Sequence, residues 1–164
     1  MPNHHSHLID EPSLWVRRFA PLICSGGATL DVACGAGRHA RLLAGMGYSV
    51  EAVDRDAEAL AQLAGVTGVH TRCADLEGGA WPYAGQRFDG IIITNYLHRP
   101  LLPHLLATLG EGGVLIYETF MLGNERFGRP GNPDFLLRSN ELLDIVHDKF
   151  VVIAFEQGEV ALPK

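Results

Sequence analysis

Little in this sequence suggests a staple, a membrane span or a phosphate-coating surface. The 164 residues include only Cys24, Cys34 and Cys73, an odd number without CxxC or zinc-type spacing. That excludes a disulfide framework and reads as reduced thiols in a cytoplasmic protein. No apolar run approaches the ~20 residues a membrane helix needs. The opening MPNHHSHLIDEPS has no cationic stretch followed by an apolar core, so it does not read as a signal peptide. Lysine is nearly absent: eleven of the thirteen basic residues are Arg. Acids outnumber bases, 19 to 13, for a formal charge of −6. This balance argues against a general DNA or RNA binder. His4, His5 and His7 cluster near the start, but a His-only cluster there is not taken as a metal site, and none is expected elsewhere.

What is present is ordinary globular composition, 47% hydrophobic and 20% charged, in a length suited to one domain. That domain is taken as residues 1–164. Ser13 can cap a short helix carrying Leu14, Trp15 and Phe19 and stopped by Pro21. Residues 1–21 are thus a candidate cover over a site, or pack on a sheet. Strand-like runs then alternate with helical ones. Strands are expected at Thr29–Ala33, Tyr48–Val53, Val69–Cys73, Phe88–Thr94, Gly113–Thr119 and Phe150–Phe155, with a last one beginning at Val160. Helices are expected over Arg38–Met46, from an Asp56 cap to Ala64, from Pro100 to Leu109, and after a Ser139 cap, with Leu142, Leu143 and Val146 on one face. Residues 76–87 and 121–138 read as loops. The alternation implies parallel βαβ units, with ligands at the carboxyl ends of the strands. Those ends carry Asp31–Gly37, Asp54–Arg55, Asp75–Leu76, Asn95–Arg99 and Glu118–Phe120, so the chemically interesting residues share one edge.

The loop Asp31-Val32-Ala33-Cys34-Gly35-Ala36-Gly37-Arg38 precedes a helix and offers backbone N–H groups to a ligand. Asp54, 19 residues after Gly35, can accept from a ribose diol. The run also fits the dinucleotide pattern GxGxxA. Three features separate the readings. Asp31 is misplaced beside a pyrophosphate but suits an amino group or a sulfonium. Asp75 supplies a further carboxylate, placed for an adenine amino group. The length leaves no second domain for a hydride acceptor.

LDVACGAGRHA, VEAVDRD, CADLE, FDGIIITNYLHRPLL and GEGGVLIYETF together resemble the class I S-adenosylmethionine-dependent methyltransferases. Within them the loop is similar to the small bacterial branch of tellurite-resistance and thiopurine-type enzymes. The resemblance runs from about Thr29 to the end of the chain. It implies a Rossmann-like three-layer αβα sandwich, mostly parallel, in the order 3-2-1-4-5-7-6. Few residues remain for the final antiparallel strand, so a short or truncated one is expected. It also implies S-adenosylmethionine as cofactor and S-adenosylhomocysteine as product. Asp31 and the backbone at Ala33 and Gly35 would hold the methionine moiety, and Arg38 its carboxylate. Asp54 would take the ribose and Arg55 would flank the adenine. Asp75 and the Leu76 backbone would read the adenine, and Asn95 and Tyr96 would lie near the sulfonium. The family's usual first glycine is Ala33 here. Alanine resists positive φ, so Gly35 and Gly37 are expected to carry the turn.

Methyl transfer is an in-line displacement, and a base is needed only for a protonated, weakly acidic acceptor. His98, Tyr96 and Glu118 are the candidates on this edge. His98 also fits a helix start before Pro100. Glu118 needs a cationic partner, for which Arg99, Arg126 and Arg129 are placed. The 121–138 loop, with its Arg, Asn and aromatic residues, suits a substrate-side lid, or a crossover pinned by Arg–Glu pairs. The expected partner is a small-molecule acceptor, with no membrane or nucleic acid, in a monomer or homodimer. An enzyme acting on RNA or protein, and a non-catalytic S-adenosylmethionine-binding module, remain alternatives.

Overall fold

The computed structural model describes residues 11–160. His4, His5 and His7 lie outside them, as does the chain after Val160. Ser13 starts the first helix, α1 (Leu14–Phe19), by accepting from the Trp15 and Val16 amides. This is the capping expected of a serine before an apolar turn. A 3-10 turn through Pro21 ends the segment, and the Tyr48 hydroxyl donates to the Ala20 and Ile23 carbonyls there.

Five parallel strands follow: β1 (Ala28–Val32), β2 (Ser49–Asp54), β3 (Val69–Cys73), β4 (Phe88–Thr94) and β5 (Leu109–Glu118). Helices α2 (Arg38–Gly45), α3 (Ala57–Ala61) and α4 (Leu102–Thr108) connect them. Asp56 caps α3 through the Glu58 and Ala59 amides. The sheet order is β3-β2-β1-β4-β5, so the winding direction reverses between β1 and β4. That reversal opens a crevice at the carboxyl edge, the usual ligand position in such sheets.

Both faces are buried. Ile91 and Ile93 of β4 point into one core with Leu30, Val32, Tyr83, Leu101 and Leu105. Ile92, one residue out of phase, joins the other with Val16, Leu43, Val50, Leu60 and Ile116. A parallel strand covered on both sides needs such an unbroken apolar run. The result is the expected Rossmann-like three-layer αβα sandwich. α1 lies on the sheet through Val16, while its cap reaches the carboxyl edge.

The last part of the chain departs from expectation. Helix α5 (Glu141–Val146) is present, but Ser139 does not cap it: Asn140 precedes it at φ 61° with no capping bond. Glu141 takes part of that role by accepting from the Arg138 amide at 2.7 Å. The Ser139 hydroxyl instead accepts from Gln157 Nε2, and Gln157 Oε1 accepts from the Asn140 amide, both at 2.9 Å. These bonds hold the chain beside the start of α5. Residues 150–155 therefore form no strand, with Val151 90% and Ile153 66% exposed. β-propensity without an adjoining strand edge makes no ladder. No strand is seen at Val160 either, and the described sheet ends at β5.

Candidate donor site

The loop after β1 is built on positive φ at Ala33 (52°), Gly35 (54°) and Gly37 (78°). The expectation that Ala33 would avoid this region is wrong. The left-handed region costs a non-glycine residue about 1–2 kcal/mol, which the surrounding bonds offset. The Cys34 amide donates to the Val53 carbonyl at 3.0 Å, and the Gly37 amide to the Cys34 carbonyl at 2.9 Å. Gly37 also has no room for a Cβ, which would run into the Leu63 side chain.

Asp54, ending β2, braces this loop. Its Oδ2 accepts from the Gly35 amide at 2.8 Å and its Oδ1 from the Asp56 amide at 2.9 Å. Each carboxylate oxygen keeps a further lone pair for a ligand hydroxyl. Asp31, on β1, is buried, and neither oxygen has a hydrogen-bond partner. Burial pushes its pKa up to about 7, against the opposing pull of the Ala40 amide and the Arg38 charge. An orphaned buried carboxylate is a standing cost that a cationic ligand group would remove. This chemistry fits the ammonium or sulfonium of S-adenosylmethionine. Cys34 beside it is a buried thiol whose pKa burial and the Asp31 and Asp54 charges raise, so it is no thiolate nucleophile.

A cleft of about 350 Å³ runs along the edge from here. It brings together Ala33, Asp54, Arg55, Asp75, Leu76, Asn95 and Tyr96, all expected from the sequence. It adds Glu77 and Leu97, which were not, and Pro130 and Phe135 from the 121–138 loop expected on the substrate side. Asp75 is exposed, and the Glu77 and Gly78 amides hold its carboxyl below the usual range. Asn95 stands at φ 55°, a conformation asparagine tolerates better than most residues. The Tyr96 hydroxyl is buried without a hydrogen-bond partner. Burial first, then the Glu77 and Asp75 charges, raise its pKa, so at neutral pH it is a donor and not a base.

Asp31, Gly35, Gly37, Arg38, His98 and Glu118, also expected, do not line this cleft; Asp31 lies buried behind the Ala33 turn. Glu118 is buried at the end of β5, in register with Thr94, and accepts a hydrogen bond from the Ser13 hydroxyl. Two of the arginines placed as its partner are engaged elsewhere. Arg99 binds Glu141 instead, with Nε and Nη2 at 2.6 and 2.9 Å, and Arg126 sits 3.6 Å from Glu159. His98 is half-buried just before the turn Arg99–Leu101, and its charge helps hold Asp75 down. Arg38 begins α2 and donates to the Glu11 carbonyl at 3.1 Å.

His39 had passed unnoticed inside the glycine motif. It is buried, accepts from the Ser13 amide at Nε2 (3.1 Å), and places Nδ1 3.3 Å from the Thr94 hydroxyl. Because the amide can only donate, Nε2 is unprotonated and Nδ1 carries the hydrogen. Burial lowers its pKa to about 4, so it is neutral. Ser13, His39, Thr94 and Glu118 thus tie the start of α1 to the ends of β4 and β5. Ser13 and Glu118 are 105 positions apart, and no sequence spacing signals such a contact. Among the described residues no cluster is suited to a metal, and no helix is long and apolar enough to cross a membrane.

The sequence profile of the family described as a methyltransferase domain matches residues 29–112, which span β1 to the start of β5. The chain is 37% identical over 106 residues to a protein-L-isoaspartate O-methyltransferase of Chlorobaculum tepidum, covering 61% of this chain and 48% of that one. It therefore spans about half the length of that curated relative. Its fold is similar to TehB from Haemophilus influenzae (TM-score 0.65, 21% identity, 82% of this chain and 49% of that one). It is also similar to a TehB-like S-adenosylmethionine-dependent methyltransferase from Corynebacterium glutamicum (TM-score 0.61, 19% identity, 80% and 68%). The chain belongs to the methyltransferase-domain family, within the class I S-adenosylmethionine-dependent methyltransferases. S-adenosylmethionine is the cofactor that goes with this membership.

Proposed function

We propose that residues 1–164 form one methyltransferase domain that moves the methyl group of S-adenosylmethionine onto a small-molecule acceptor. The observation that carries this reading is Asp31, a buried carboxylate with no partner of its own at the point where the sheet reverses. Asp31 and the backbone of the Ala33–Gly35 turn hold the methionine moiety, with the Asp31 carboxylate accepting from its ammonium, and Arg38 takes its carboxylate. Asp54 accepts from the ribose hydroxyls, and Arg55 flanks the base. Asp75 and the Leu76 amide read the adenine, with Asn95 and Tyr96 towards the sulfonium.

The bound donor supplies an already activated methyl group. The protein's contribution is mainly orientation, worth up to ~7–11 kcal/mol in well-aligned reactions. For a protonated acceptor, Glu118 is the base we favour over His98. It lies at the end of β5, in register with Thr94 at the carboxyl edge. Such a base adds roughly 10²–10⁴-fold. The acidic balance of the chain supports a small acceptor over a nucleic acid. Location in the cytoplasm, as monomer or homodimer, is part of the same proposal.

S-adenosylhomocysteine titrated by calorimetry tests the donor site. The parent binds it, and Asp54→Ala weakens binding at least ~tenfold through loss of a charge-assisted pair of hydrogen bonds. Equal affinity in the variant overturns the ribose assignment. A second reading is favoured by the 37% identical relative, whose name specifies L-isoaspartate in protein. Methylation of an isoaspartyl peptide, with no turnover on pooled metabolites, selects it over the first.

A further inference from the structure

The segment 121–138 leaves β5 beside Glu118, but its middle does not stay there. Pro130 and Phe135 line the cleft together with Glu77, Tyr96 and Leu97, on the side supplied by the loops after β3 and β4. Phe135 is left 44% exposed at that wall, a large apolar ring without a full apolar partner. Its backbone is not free. Arg99 Nη1 donates to the Asp134 carbonyl at 2.8 Å and Nη2 to the Leu136 carbonyl at 2.9 Å, one on each side of Phe135. The same guanidinium is anchored on Glu141. At the other end, Asn124 Nδ2 donates to the Pro130 carbonyl at 2.9 Å. The buried Tyr96 hydroxyl, with the Glu77 carboxylate beside it, belongs to the same stretch of the cleft.

Resting on the donor-site reading above, we infer that residues 130–135 wall the nucleobase end of the donor subsite. Phe135 is the apolar face offered to the purine, and Arg99 is the positioning residue that holds it. This part of the segment then serves the donor, and acceptor recognition falls to the residues nearer Glu118.

Calorimetric titration with S-adenosylhomocysteine and with 5′-methylthioadenosine, which keeps the nucleoside but lacks the amino acid, tests this. Phe135→Ala weakens both by about tenfold, as expected for loss of a base–aromatic contact, and Phe135→Tyr restores both. Arg99→Ala weakens both, and adding Phe135→Ala to it changes little further. Unchanged thermal unfolding of Phe135→Ala shows that the variant is folded, as its partial exposure predicts. If the parent binds and Asp54→Ala abolishes binding, yet Phe135→Ala leaves both affinities unaltered, the wall is wrongly assigned. A loss confined to S-adenosylhomocysteine places Phe135 at the amino-acid end and also overturns the inference. Fully additive losses in the double variant overturn the role of Arg99. No binding by the parent defeats the donor reading itself.

Discussion

Residues 28–118 and residues 119–160 are held together by different physics. The first stretch is a parallel sheet whose apolar side chains are covered on both faces. The second leaves Phe127 65% exposed, and Val151 and Ile153 face solvent as well. Beyond the buried Leu136 and Leu137, it is kept in place by directed polar bonds: Arg99 to Glu141, Gln157 to Ser139 and Asn140, Asn124 to Pro130. Burial is insensitive to any one contact and spreads its stabilisation over many atoms. A polar latch concentrates it in one group. The donor cleft sits where the two meet, with a floor from the first stretch and a wall from the second.

The largest effect is expected in the first stretch. Gly37→Val must fit a branched side chain at φ 78° against Leu63, which is itself buried. A loss of about 3 kcal/mol or more in urea unfolding is expected. A loss below 1 kcal/mol breaks the contrast, because the turn would then be as yielding as the later segment.

Arg99→Ala comes next, at about 2 kcal/mol, because it strips a buried carboxylate of its main partner. Arg99, more than any other group, holds Glu141 down at about 2 against its usual 4.5. A depressed carboxylate stabilises the fold above its unfolded pKa and loses that contribution as pH falls towards the folded value. Parent and variant should therefore converge in stability between about pH 4.5 and 2. Parallel curves over that window, followed by circular dichroism, would contradict the latch.

Asp31 gives a smaller effect of opposite sign. Its raised pKa means that Asp31 costs the ligand-free fold least below about pH 4 and progressively more as pH rises towards 7. A cationic ligand needs the ionised form. Affinity for S-adenosylhomocysteine should thus fall about tenfold from pH 8 to pH 6, with proton release on binding near neutrality. Asp31→Asn should bind weakly and flatten the profile. A flat parent profile would remove Asp31 from the donor site. Smallest is Val151→Ser with Ile153→Ser, expected to change stability by less than ~0.5 kcal/mol. A change above 1 kcal/mol would show these residues covered in solution.

The same contrast explains what could be read from sequence. Most of the strands were legible because each carries a short apolar run between turn signals, and parallel sheets bury both faces; β3, with His70, Thr71 and Arg72 exposed, was legible mainly from its place in the alternation. Asp31, Asp54 and Asp75 were legible because each ends or follows a strand, and strand ends share an edge. The strand expected over 150–155 failed because a strand needs a neighbouring edge, and the Gln157 bonds lead the chain elsewhere. Ala33 was misjudged because intrinsic preference was allowed to outweigh the surrounding bonds. The true partner of Arg99 and the joining of Ser13, His39 and Glu118 were invisible, since they link segments far apart in the chain.

On the proposed donor reading, the carboxylate of Asp31 also makes the donor a missing piece of the core. A ligand that binds only the folded chain raises its stability by RT ln(1 + [L]/Kd), about 2.7 kcal/mol at a hundredfold excess over Kd. Here that linkage acts through a group the unliganded protein leaves unpaired. The melting temperature of this chain is then expected to rise with added S-adenosylmethionine, which a thermal-unfolding titration reads.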